Sequence, residues 1–197
     1  MTLTQELASW GPLTQLAIAS PPTVGNKAPS EPNLVHPGQN NGKPTVVAFL
    51  RHCGCPVAEA SFRNLRDAST AHPDINFIAI SHSSQSSTDK WVEALGGTGP
   101  SLTVLVDSER QIYAKWGLGV VSWSHVLSPS GLMGIWKLGK EKGIWNRPTE
   151  SGSRWQAGGA WAVDEDGVVR WGGPARRADE VVDVEGAVRS VLGGAAS

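Results

Sequence analysis

Thr45-Val46-Val47-Ala48-Phe49-Leu50-Arg51-His52-Cys53-Gly54-Cys55-Pro56 is the stretch on which the reading of this chain turns. Its first half is an almost unbroken apolar run with β-branched members, the pattern of a strand buried on both faces. Pro56 suits the first position of a helix, where its missing N–H would have no partner anyway. Ala58, Phe62 and Leu65 then recur as a buried stripe to about Ala71, with Arg63 and Arg66 facing out. A strand that ends where a helix begins places the residues between them at the carboxyl edge of a sheet. Open α/β sheets bind their ligands there.

The same alternation continues outward. Ile75 to Ile80 and Leu102 to Val106 read as further strands. Ser86-Ser87-Thr88-Asp89 resembles a capping box for a helix carrying Trp91, Val92 and Leu95, which Gly96-Gly97 stops. A short helix reaches Trp116. Trp161 to Val163 and Val168 to Trp171 flank an Asp164-Glu165-Asp166-Gly167 turn, a hairpin signal, and Val181, Val184, Val188 and Val191 mark a closing helix. The implied fold class is α/β, with a central mixed β-sheet flanked by helices. Residues 1–43 read as an N-terminal helix over 3–18 and a Pro-rich arm, and residues 44–197 as the domain proper. An insert from 117 to 157 precedes the hairpin. It holds Trp123, Trp136, Trp145 and Trp155 among basic residues, as a cover over a cleft or a small satellite core would.

Composition narrows the function. Of 197 residues, 40% are hydrophobic and 18% charged, which is globular usage. With 17 Lys and Arg against 18 Asp and Glu, the net charge of -1 gives no bulk electrostatic case for nucleic acid or a membrane surface. No apolar run is long enough to span a bilayer. The N-terminus carries no basic and apolar leader, so a cytoplasmic, thiol-reducing setting is expected. The two cysteines, Cys53 and Cys55, staple nothing. No metal is expected, because Cys53, Cys55 and His52 are close neighbours without a distant fourth ligand.

A thiol at a helix N-terminus meets unpaired N–H groups and the positive end of the dipole, which favour thiolate. Cys55 is therefore the expected nucleophile, open to solvent at the mouth of a cleft; the plain alternative is a small buried hydrophobe. Arg51 is placed to bind an anion. His52 is placed to hold a proton or to add positive charge. Cys53 could close a small, strained and easily reduced ring with Cys55. His82 follows the second strand at the same edge, and Trp123 and His125 open the insert, so these three are candidates to line or cap the cleft.

The segment from Val46 to Glu59, with Cys55-Pro56-x-x-Glu59 after a buried strand, resembles the peroxidatic loop of peroxiredoxins. Ile78 to Ser83 followed by Trp91, Leu105-Val106-Asp107-Ser108 through Trp116-Gly117, and Gly159 to Asp164 with Gly167 to Arg170 continue the likeness in order. Phe49-Leu50-Arg51-His52-x-Gly54-Cys55-Pro56 and Arg147-Pro148 to Trp155-Gln156-x-Gly158-Gly159 resemble the alkyl hydroperoxide reductase/thiol-specific antioxidant branch. The resemblance implies a thioredoxin-like fold and a thiol-dependent oxidoreductase. Cys55 would reduce a peroxide or exchange thiols, and an external thiol, glutathione or thioredoxin, would restore it without a bound cofactor. It adds Pro56, Trp155, Gly158 and Gly159 to the substrate-binding candidates and allows a homodimer. Four positions depart from the pattern. His52 stands where Thr or Ser is usual, Gly158-Gly159 where an Arg is usual, Ala58 where a second Cys is common, and thioredoxin's late Pro has no counterpart. Those departures keep two alternatives open: a thioredoxin fold turned to binding or transforming an organic molecule, and a non-catalytic redox-sensing or partner-binding module.

Overall fold

The computed structural model describes residues 3–30, 42–122, 129–148 and 151–193. The elements in chain order are α1 (Leu3–Ala8), β1 (Thr45–Phe49), α2 (Pro56–Ala71), β2 (Asn76–Ser81), α3 (Gln85–Ala94), β3 (Leu102–Val106), α4 (Gln111–Lys115), α5 (Pro129–Lys142), β4 (Gly159–Val163), β5 (Val169–Pro174) and α6 (Val184–Leu192). One five-stranded sheet has the order β3-β2-β1-β4-β5. β1 pairs parallel with β2 and antiparallel with β4, so it is the central strand.

All five residues of β1 are buried, and their alternation divides the core. Val46 and Ala48 face a cluster built with Phe62 and Leu65 of α2, Trp91 of α3 and Val188 and Val191 of α6. Val47 and Phe49 face the other, with Ile112, Tyr113, Trp116 and Trp161. There Phe49 meets Tyr113, Trp116 and Trp161 at centroid distances of 5.0, 5.3 and 5.6 Å, within the favourable range for aromatic pairs. The mixed sheet covered by helices is the architecture that the apolar runs imply.

Three local expectations change. The N-terminal helix ends at Ala8, because Gly11-Pro12 cannot extend it. α3 begins at Gln85, capped by Ser84, whose side chain accepts from the Ser87 N–H. The insert holds a full helix, α5, whose Ile135 and Leu138 pack on the α2 side of the core. The described part of the arm docks along the domain. Ala19 N–H donates to the Ala114 carbonyl, the Trp161 indole N–H donates to Pro22 O, and Gly25, Asn26 and Ala28 pair with the start of β5.

Tyr113 ties this scaffold to the sheet edge. Its hydroxyl lies 2.6 Å from the Leu50 carbonyl and 2.7 Å from the Ile80 carbonyl, at the ends of β1 and β2. Burial pushes the phenol well above its ordinary value, so it remains a donor. Tyr113→Phe should lower unfolding free energy by about 1–2 kcal/mol in urea titration, since both carbonyls lose a buried donor. An unchanged midpoint would show that the hydroxyl holds nothing in place.

Candidate active site

β1 delivers Leu50, Arg51 and His52 to the sheet edge, and the chain turns back at once. The Cys55 N–H donates to the His52 carbonyl at 3.1 Å, and Gly54 sits at φ 103°, a region that favours glycine. Cys55 is the N-cap of α2 in extended conformation, Pro56 follows at the first helical position, and the Cys55 side chain makes no capping bond. Both cysteines are free thiols.

The two sulfurs have different surroundings. Cys53 Sγ lies 3.6 Å from Ser81 Oγ and 3.8 Å from Thr88 Oγ1, which bond to each other at 2.9 Å. Its N–H donates to Ser83 Oγ. Cys55 sits among apolar side chains at 2% exposure. The expectation of a thiol open at a cleft mouth is thus corrected: Cys55 belongs to the apolar cluster that β1 forms with Phe62 and Leu65 of α2, and the turn beside it is covered as well. The Arg147 N–H donates to the Gly54 carbonyl at 2.9 Å. A Cβ on Gly54 would stand 2.8 Å from the Arg147 carbonyl oxygen and 3.0 Å from that of Pro148. The descending limb of the insert therefore lies directly on the cysteine turn.

A buried carboxylate fastens that limb. Glu59, one turn into α2, accepts from Arg147 Nε at 2.8 Å and from an Arg63 guanidinium nitrogen at 2.7 Å. The bond to Glu59 holds the Arg147 guanidinium above its usual value. In the sequence Glu59 and Arg147 stand out only as members of two separate motifs that carry the family resemblance, and Arg147 also as a basic residue of the insert. An acidic residue on a buried helix face four positions before an Arg was the available signal.

His52 is corrected as well. It is buried, and among the described residues neither ring nitrogen has a hydrogen-bond partner. Burial first, then the charges of Arg51, Arg154 and His82, lower it well below its ordinary value, so it contributes no positive charge near neutrality. His82 is buried edge-on to Tyr113 and accepts from the Ser153 N–H at 3.1 Å. Burial lowers it to about 4. Gly152 at φ 85° packs against Ser83 and both histidines; a Cβ there would stand 2.6 Å from Ser83 Oγ, 3.1 Å from His52 Cβ and 3.2 Å from His82 Nε2. His82 and Ser83 thus bind the returning end of the insert, and His52 packs beneath it.

Arg51 donates to the Ala178 carbonyl at 3.1 Å and the Arg154 carbonyl at 2.7 Å. It also lines a cavity of about 920 Å³ together with Ala58, Gly158, Gly159, Trp171 and Gly173. Pro56 is buried beside Cys55 at the start of α2. Trp155 lies elsewhere: its indole donates to the Trp10 carbonyl and its ring meets Trp10 edge-on, fastening the N-terminal segment. Trp123 and His125 fall outside the described residues. Among the described residues, no cluster of three metal-binding side chains occurs, and no helix is long and apolar enough to cross a membrane.

Residues 61–177, more than half of the chain, match the family model described as AhpC/TSA antioxidant enzyme. The chain belongs to that family. It is a thiol-dependent oxidoreductase of peroxiredoxin-like type. The fold is similar to a thiol peroxidase from Chromobacterium violaceum (TM-score 0.55, 16% identity, covering 95% of this chain and 96% of that one). It is also similar to a peroxiredoxin-like protein from Aquifex aeolicus (TM-score 0.56, 13% identity, 88% of each chain). A third is Mycobacterium tuberculosis AhpC (TM-score 0.51, 16% identity, 89% of this chain and 94% of that one). No curated protein matches in sequence. The family match begins at Ser61, so it carries the scaffold and leaves the choice of sulfur to local geometry.

The histidines make stability pH-dependent. An unfolded imidazole titrates near 6.5, whereas the folded ones stay neutral to about 4 for His82 and well below 6.5 for His52. Between those limits the unfolded state binds protons that the folded state does not. The stabilisation is full above about pH 6.5 and is lost as pH falls, by up to about 1.4 kcal/mol per unit for each imidazole. His82→Gln should flatten this slope in urea titrations from pH 7 to 4.5. An equally steep slope in the variant would exclude His82 as its source.

Proposed function

We propose that Cys55 is the nucleophile. The observation that carries this is its place as N-cap of α2 at the carboxyl end of the central strand, where the unpaired N–H groups of the first turn favour a negatively charged sulfur. The Cys55 thiolate attacks one oxygen of a peroxide. The O–O bond breaks, an S–O bond forms, and the departing alkoxide or hydroxide takes a proton, leaving Cys55 as sulfenic acid. An external thiol then attacks that sulfur, water leaves, and a mixed disulfide forms. A second thiol reduces it and restores Cys55. Cys53, two residues away and surrounded by hydroxyls, is the internal alternative for the first of those thiols.

In this reading the limb over Gly54 must lift before a substrate reaches the sulfur, and Glu59–Arg147 is the contact that holds it down. Cys55→Ser should abolish peroxide consumption in a thiol-recycling assay, while Cys53→Ser retains it in part. Arg147→Ala should speed modification of Cys55 by an aromatic disulfide reagent several-fold. Full peroxide consumption by Cys55→Ser, or an unchanged modification rate in Arg147→Ala, contradicts the respective part of the reading.

The cavity beside Arg51 supports a second reading, in which the fold binds an organic molecule. Its volume is that of a typical small-molecule site. Arg51 bonds only to carbonyls in the described residues, whereas the lining carboxylates are engaged: Asp179 by Arg177, Glu180 by the Arg176 N–H and Asp183 by the Gly186 N–H. The lining is balanced in charge, with Arg51, Arg176 and Arg177 against Asp179, Glu180 and Asp183, so in this reading an organic ligand's anionic group pairs locally with Arg51. A Cβ at Gly173 would meet nothing within 4 Å, so Gly173→Phe can fill the cavity without disturbing the sheet. A fluorescent fatty acid should bind the native protein and bind Gly173→Phe at least about tenfold more weakly. Equal binding by the two would place the ligand elsewhere.

A further inference from the structure

α5 is amphipathic in the usual sense on its inner side and not on its outer side. Ile135 and Leu138 face the core. Met133, Trp136, Lys137 and Lys140 recur at i, i+3, i+4 and i+7 on the opposite face. Met133 is 63% and Trp136 53% exposed. Trp145, 52% exposed, lies alongside, its ring over Gly139 so closely that a Cβ there would run into it. Lys140 Nζ stands 5.7 Å from the Trp136 ring centroid, and Lys137 pairs loosely with Glu141 at 3.7 Å. Two indoles and a thioether rimmed by lysines form one contiguous patch, which a solvated helix face does not require.

Local charge departs from the whole-chain balance. On α5 itself Lys137, Lys140 and Lys142 stand against Glu141 alone, in a chain of net charge -1, while Arg147 is paired with Glu59. The near-neutral total, which argues against a membrane surface, therefore does not describe this face. Exposed indoles rimmed by lysines complement a surface that is acidic outside and apolar beneath. Indole rings favour the headgroup layer and lysines pair with acidic headgroups. We infer that the outward face of α5, with Trp145, docks on an anionic lipid surface. The inference is independent of the thiol chemistry.

Vesicle flotation tests it, using phosphatidylcholine alone and phosphatidylcholine mixed equally with phosphatidylserine. The full chain should float with the mixed vesicles and be released by salt. Trp136→Ser/Trp145→Ser and Lys137→Glu/Lys140→Glu should each weaken binding by about tenfold or more. These side chains are exposed, so circular dichroism should be unchanged, and Cys55→Ser should bind like the native protein. Absence of flotation with the mixed vesicles, or flotation indifferent to both double variants, overturns the inference. So does a dimer in sedimentation equilibrium that the Trp variant dissolves, which would make the face a contact between two copies of this chain.

Discussion

Complete burial of β1 on both faces is the constraint on which the rest depends. Val46 and Ala48 require a cover of helices on one side, and Val47 and Phe49 require the aromatic cluster on the other. A strand so enclosed can release the chain only at its ends. At its carboxyl end Gly54 supplies the backbone angle for an immediate reversal, and Pro56 starts α2 without needing a hydrogen bond for its nitrogen. The cysteine turn is a consequence of that geometry. Apolar burial of β1 and α2 fixes where the turn must fall, and the hydrogen bonds of Cys53, Gly54 and Cys55 hold its shape.

The same turn is closed from above. A segment held by the Gly54 carbonyl, by Glu59 and, through residues 151–153, by His82 and Ser83 lies across it. Glu59 is itself buried, so removing one of its arginine partners leaves a carboxylate poorly compensated. Arg147 and Arg63 are both half-exposed, and their pairing with Glu59 is the part of the cover that water can reach. The proposed chemistry requires that latch to open. The buried thiol and the family's thiol chemistry are compatible on those terms.

Much of the scaffold was legible in the sequence because the signals were local. An apolar run followed by Cys-Pro marks the β1–α2 junction, and α2 spans Pro56–Ala71 as its stripe implies. The start of α3 was less legible, because a run of serines offers several caps and only packing selects Ser84. α5 was hidden by Gly131, Gly134 and Gly139, which lower helix propensity; two of them make room for Asp179 and Trp145. The site was legible only in part. The cover joins Glu59 to Arg147 across 88 positions, and no short pattern reports such a contact. Whether His52 carries charge depends on burial, which spacing alone does not reveal.

The central claim is that Cys55, and not Cys53, is the sulfur that meets the oxidant. Treating the reduced protein with one equivalent of hydrogen peroxide in the presence of dimedone, followed by peptide mass spectrometry, tests it most directly. The account predicts the sulfenic-acid adduct on Cys55. An adduct confined to Cys53, or none on either cysteine while peroxide is consumed, would contradict it.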